Sequence, residues 1–193
     1  MIGFFVAFIL TYSEFKLKKF IDMITLIAMA VPGVVLGIGY IFVWNQKWLV
    51  PLGLHLYGEP AILVLASVAA AIPMINRVLV GGMAKIPKTL LTAAQMQGAG
   101  YITRIRTVLL PLIHNSTVSA VLAAFGGSVF NLAITTILYP PNFSTLPVYI
   151  SDAYNDLEFG YAAAATIVGG VFIVSIMLVL EYILNLGANK KKK

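Results

Sequence analysis

Four long apolar runs, at roughly residues 20–44, 60–82, 113–138 and 161–187, alternate with short polar stretches along this chain. A helix that crosses a bilayer needs about 20 mostly apolar residues, because the hydrocarbon core is about 30 Å thick and each residue rises about 1.5 Å. Each run is long enough, so the pattern predicts an all-α membrane protein with four complete transmembrane helices. A fifth apolar stretch, Met1 to Leu10, is too short to span alone and lacks the basic start of a signal peptide. It reads either as an interfacial anchor or as the inner end of a longer helix, and the second reading is favoured. The chain is then expected to be N-terminally truncated, or one module of a larger protein.

The polar stretch between the second and third runs has helical character of its own. Pro87 suits a helix start, and Thr92-Ala93-Ala94-Gln95-Met96-Gln97 follows with good helix formers. Gly98 and Gly100 bracket Ala99, which provides a stop and a chain reversal where positive φ is available. A return helix from about Tyr101 to Leu110 would place Ile102, Ile105 and Leu109 on one face, with Arg104 and Arg106 directed elsewhere, toward anionic headgroups. Pro111 marks the start of the next span. Residues 83–112 are expected to form either a knob that projects into water for another protein to grip, or a connection lying on the bilayer.

Charge orients the spans. The chain is 60% hydrophobic and only 10% charged, with a mean hydropathy of +0.95; a soluble domain carries roughly a quarter charged residues. All of the 13 basic residues except Lys47 fall on one side if four spans alternate. Positive residues mark the cytoplasmic side. Residues 11–19, 83–112 and the tail Lys190–Lys193 are therefore expected in the cytoplasm, and 45–59 and 139–160 outside. Trp44, Trp48 and Tyr57 read as an outer interface belt. Asp152, Asp156 and Glu158 give the last outer loop an acidic character, either as solvated charge or as a surface for an external partner. The basic clusters lack the aromatic-interleaved face that tracks phosphates, so nucleic acid is not an expected partner.

The segment Thr92-Ala93-Ala94, three residues, Gly98, nine residues, then Val108-Leu109-Leu110-Pro111 resembles the signature loop of the inner-membrane permease subunits of ABC importers. That pattern reads Glu-Ala-Ala, three residues, Gly, nine residues, an aliphatic residue, any residue, Leu-Pro. The resemblance implies that Thr92, Ala93, Ala94, Gly98, Leu110 and Pro111 belong to a coupling helix and its flank, seated in a cleft of a cytoplasmic ATPase subunit. It also implies a second permease subunit or module and an external substrate-binding protein as partners. Thr92 stands where the family has Glu, so a salt bridge from that position is lost and a hydroxyl takes its place.

Two further stretches resemble the branch of that family handling ferric iron, polyamines and phosphonates. They are Val31-Pro32-Gly33-Val34-Val35-Leu36-Gly37-Ile38-Gly39-Tyr40, and Leu138-Tyr139-Pro140-Pro141 with Thr145-Leu146-Pro147-Val148-Tyr149-Ile150. Pro32 and Gly33 are expected to kink or unwind the first span, and Gly37 and Gly39 to allow close helix packing. Ferric iron is the first expectation for the cargo, with polyamine or phosphonate behind it.

Other chemistries find little support. The chain has no cysteine, which removes disulfides, thiolate metal sites and Cys nucleophiles. No Gly-x-x-x-x-Gly-Lys-[Ser/Thr] occurs, so ATP hydrolysis is expected in a separate chain. His55 and His114 fall on opposite sides of the expected membrane, and no catalytic residue, metal site or cofactor is assigned. Asp22 and Glu181 sit toward the cytoplasmic ends of spans, where pairing with Lys or contact with interfacial water is expected. Span centres empty of charge weaken the alternative of an ion-gradient-driven secondary transporter. Tyr40, Ser119, Ser128 and Asn131 could line a polar path or make interhelical hydrogen bonds, the second being favoured, and the substrate-binding residues stay unknown.

Overall fold

The computed structural model describes residues 1–54, 56–141 and 143–189, with side chains to residue 186. The expectations placed on His55, Asn142 and Lys190–Lys193 lie outside the described residues. Every regular element among those described is helical. In chain order these are α1 (Ile2–Tyr12), α2 (Lys18–Ala30), α3 (Gly33–Trp44), a 3₁₀ helix (Lys47–Leu52), α4 (Pro60–Met83), α5 (Lys88–Met96) and α6 (Tyr101–Arg104). A π turn (Ile105–Leu109) follows, then α7 (Leu110–Leu112), α8 (His114–Val129), α9 (Leu132–Leu138), α10 (Leu146–Asn155) and α11 (Phe159–Asn189).

Two of the four expected spans are single helices, and two are not. Among the described residues, α4 and α11 are each long and apolar enough to cross a membrane. Pro73 lies inside α4 without ending it. The expected span 20–44 is broken. α2 stops at Ala30, α3 begins at Gly33, and the two differ in direction by 103°. The break arises where Pro32 was expected to disturb the helix: proline disfavours helical backbone at the residue before it and offers no N–H. Pro32 then serves as the cap of α3, its carbonyl accepting from Leu36 N–H at 3.1 Å.

The expected span 113–138 is also divided, because Asn131 stops it. Its Oδ1 accepts from the backbone N–H of Ile134 at 3.1 Å and starts α9 as an N-cap. On the N-terminal side, α8 pairs by apolarity with Tyr101–Leu112 across a 72° bend. The described helices therefore supply two spans, or up to four if each bent pair is one span.

The chain forms two compact units. The first comprises Met1–Ile27, Ile72–Ala124 and the chain from Leu178. Its core joins Ala7 of α1, Leu79 and Met83 of α4, Leu109 of the π turn, and Ile113 and Ala120, with Phe8, Tyr12 and Leu91 packed around them. His114 Nε2 lies 3.3 Å from the carbonyl of Leu184, tying α8 to α11.

The second unit comprises Ala28–Ala71 and Phe125–Met177. Ile62, Leu63, Ala66, Ile134 and Leu138 form its core, with Tyr40 and Trp44 against it. Trp44 is thus partly a core residue, while Trp48 and Tyr57 are exposed. Here α3 lies directly on α9. A Cβ on Gly33 would come within 3.0 Å of Ala133 Cβ, and one on Gly37, a turn later, within 3.0 Å of Ile137 Cγ2. Of the two glycines expected to allow close packing, Gly37 does so, joined by Gly33, while Gly39 meets nothing within 4 Å.

Candidate functional site

The polar stretch after α4 folds as a helix, a glycine corner and a return segment. α5 begins directly after Pro87, whose extended backbone caps it. It ends in a hydrogen-bonded reversal: Gly98 N–H donates to the Gln95 carbonyl at 2.9 Å, and Ala99 N–H to that of Ala94 at 3.1 Å. This double pattern requires a left-handed residue at the turn. Gly98 provides it, with φ +81°. Gly100, by contrast, keeps φ −64° and caps α6, so the reversal uses one glycine and not both.

α5 presents Thr92 and Ala93 to solvent, with Ala94 half-buried beside them and Gly98 exposed just past its end. Met96 at its end is 85% exposed, an uncommon position for a large apolar side chain. The Thr92 hydroxyl donates back to the Lys88 carbonyl at 3.2 Å and keeps its face open to solvent. Leu91, on the opposite side, packs toward the first unit's core. A helix this short is marginal alone, so this anchor matters for its order.

The return segment departs from the expected regular helix. Residues Ile105–Leu109 form a π turn, which inserts an extra residue and rotates all that follows. Leu109 is consequently buried completely, while Ile102 is 65% exposed. The expected single apolar face of Ile102, Ile105 and Leu109 does not form. Leu110 and Pro111 follow the π turn on α7, both exposed.

Arg104 also departs from expectation. Its Nη1 donates to Gln95 Oε1 at 2.8 Å, and its guanidinium lies 5.9 Å from the Tyr101 ring centre. It therefore ties the return segment to α5 and does not reach outward. Tyr101 in turn stacks edge-on against Phe8 of α1, with ring centres 5.8 Å apart. Tyr12 closes the other side, its hydroxyl donating to the Met83 carbonyl at 2.9 Å. Between α1 and α5–α6 lies an open cleft of about 410 Å³ edged by Phe8, Tyr12, Lys88, Thr92, Tyr101 and Arg104.

A second polar cluster belongs to the helices themselves. Arg77 lies inside α4, within the expected span 60–82. Its Nη1 stands 2.8 Å from Asp22 Oδ1, and its Nη2 donates to the Asp22 carbonyl and to Thr25 Oγ1 at 3.0 Å each. Asp22 therefore pairs with an arginine of another helix, not with a nearby lysine. Asn76, the preceding residue, is fully buried, and neither of its amide atoms has a partner among the described residues. These contacts were not foreseen, although opposite charges in so charge-poor a chain were a signal for the pair. Of the polar residues weighed for a path, Asn131 is committed to capping α9. Among the described residues no group of three His, Cys, Asp or Glu side chains could hold a metal ion.

Residues 1–192 match the protein family described as binding-protein-dependent transport system inner membrane component. Over 182 residues the chain is 24% identical to a ferric transport system permease protein, FbpB, of Actinobacillus pleuropneumoniae, covering 94% of this chain and 25% of that protein. It is 28% identical over 181 residues to a 2-aminoethylphosphonate transport system permease protein, PhnV, of Salmonella paratyphi A, covering 94% and 66%. A molybdate/tungstate transport system permease protein, WtpB, of Methanocaldococcus jannaschii is 25% identical over 174 residues, covering 89% and 68%. The chain thus spans less than two thirds of the ferric and phosphonate relatives.

Proposed function

This chain belongs to the binding-protein-dependent transport system inner membrane components, the ABC importer permeases, in their ferric and phosphonate branch, and we propose that it forms half of a translocation path driven by a cytoplasmic ATPase. It is a multi-pass protein of the plasma membrane and a transport component, not an enzyme. The other half of the path is a second permease subunit or module.

The observation that carries the coupling role is α5, exposed along Thr92, Ala93 and Met96 yet fastened at both ends. Small side chains at Ala93 and Ala94 let a partner approach the helix backbone closely. Behind it, Leu91 and Leu109 reach the core that holds Met83 of α4 and Ile113 before α8. A push on α5 is therefore delivered to packed helices and not lost in a loop, since close-packed interiors transmit strain. In this reading ATP binding closes the ATPase dimer, α5 moves with it, and the spans turn from inward-facing to outward-facing. Thr92, Ala93, Ala94 and Gly98 form the contact, and Leu110 and Pro111 lead from it into the membrane.

An external binding protein delivers the cargo. The exposed acids Asp152, Asp156 and Glu158, around the end of α10, form its docking surface. Ferric iron is the proposed cargo, supported by the ferric relative, with phosphonate as the competing anionic class.

The test is uptake into proteoliposomes holding the permease, its ATPase and its binding protein. Uptake is expected to require ATP and to persist when ionophores collapse the ion gradients. Uptake that ignores ATP but stops with the gradient identifies a secondary transporter and overturns the proposal.

A further inference from the structure

The segment proposed to meet the ATPase carries charge of one sign. Lys85, Lys88, Arg104 and Arg106 lie within residues 83–112, and no Asp or Glu occurs between Glu59 and Asp152. Among the described residues no carboxylate pairs with these cations. The only salt bridge among the described residues is Arg77–Asp22, and Glu14, just past the cleft residue Ser13, makes none with Lys88 or Arg104.

Lys88 and Arg104 both border the open cleft beside α5. The Arg104 guanidinium is only partly used: Nη1 is bonded to Gln95, while Nε is buried with no partner among the described residues. A buried, unpartnered donor on a cation is costly, on the order of 1–3 kcal/mol or more. The Thr92 hydroxyl adds a further polar group to the same rim. Two cations over an apolar floor of Phe8 and Leu91 fit a carboxylate on a short stem, with its methylenes on that floor and its oxygens on the cations, while the Thr92 O–H stays with the Lys88 carbonyl.

We propose that this cleft receives an acidic side chain of the cytoplasmic ATPase subunit, seated between Lys88 and Arg104. This inference rests on the coupling reading above and adds the polarity of the contact: basic on the permease, acidic on the ATPase.

Retention of the transporter's own ATPase on the tagged permease in detergent tests it. Lys88→Glu is expected to lower retention roughly tenfold, the scale of one lost hydrogen bond to a charged group. Thr92→Glu, which places a second carboxylate on the same rim, is expected to weaken retention as well. Raising salt to 1 M, where the screening length falls to about 3 Å, is expected to release the wild-type ATPase. Tighter retention by Thr92→Glu, or unchanged retention by Lys88→Glu, overturns the proposal.

Ala93→Trp separates this inference from the one beneath it, because it blocks close approach without changing charge. Loss of the ATPase in Ala93→Trp with full retention in Lys88→Glu sinks the carboxylate alone. Full retention in both sinks the coupling reading too. If Lys88→Glu changes only flotation with phosphatidylglycerol vesicles, the cleft belongs to lipid and the proposal is wrong.

Discussion

Gly98→Val abolishes ATP-driven uptake while the protein still reaches the membrane: this is the largest functional effect expected of any single substitution in residues 83–112. Gly98 sits at φ +81°, where a β-branched residue is strongly disfavoured. Holding such a residue there costs about 1–3 kcal/mol. Nothing lies within 4 Å of the position a Cβ would occupy, so the loss comes from backbone conformation and not from a clash. The segment escapes by giving up the two bonds that close the reversal, from Gly98 to Gln95 and from Ala99 to Ala94. α5 is then expected to point elsewhere and to lose its proposed contact with the ATPase. Gly98→Asn, which tolerates left-handed backbone, keeps a measurable fraction of uptake. Uptake in proteoliposomes, set beside the amount of protein in the membrane, separates failed coupling from failed insertion.

The largest effect on stability is expected at Gly82. A Cβ there would fall on Ser116 Oγ and lie 2.5 Å from Ser116 Cβ, so α4 and α8 touch at this point with no room for a side chain. Small residues permit such crossings between membrane helices. Gly82→Leu is expected to push the helices apart and destabilise the first unit by about 1–3 kcal/mol, the usual range for overpacking. The neighbouring Gly81 has nothing within 4 Å, so Gly81→Leu supplies the matched control. Thermal unfolding in detergent should show a lower midpoint for Gly82→Leu and little change for Gly81→Leu. Gly82→Ala combined with Ser116→Gly should recover most of the loss that Gly82→Ala shows alone.

Much of the architecture could be read from residue types, and what escaped has a physical pattern. The break at Pro32 and the reversal at Gly98 were legible because each rests on one residue whose backbone chemistry leaves little choice. The start of α5 after Pro87 was legible for the same reason. The interruption at Asn131 was not, since Leu132-Ala133-Ile134 continues the apolar run and hydropathy does not register a side chain that caps. The π turn at Ile105–Leu109 was equally hidden, because no residue type demands it; it takes Leu109 off the face of the exposed Ile102 and into the core.

Long-range polar pairs formed the other gap. Asp22 and Arg77 are far apart in the chain, and only packing decides that they meet. Arg104 was expected at the lipid surface as a basic residue beside the membrane, yet Gln95 lies within reach and holds it. The surface formed by Thr92, Ala93 and Gly98 was expected from the motif spacing and does lie exposed on one helix and its end. The cleft between α1 and α5–α6 depends on where α1 packs, which local sequence does not specify.

One cross-link tests the central claim most directly. These 193 residues hold no cysteine, so an introduced thiol is the only one among them. Met96→Cys, at a position 85% exposed on the end of α5, places it on the proposed contact. In membranes holding the whole transporter, a short thiol–amine reagent should join Met96→Cys to the ATPase subunit, with a yield that changes when ATP is added. Leu52→Cys, exposed on the connection proposed to face outward, should give no such product. A Leu52→Cys cross-link to the ATPase, with none from Met96→Cys, would contradict both the orientation and the coupling role of α5.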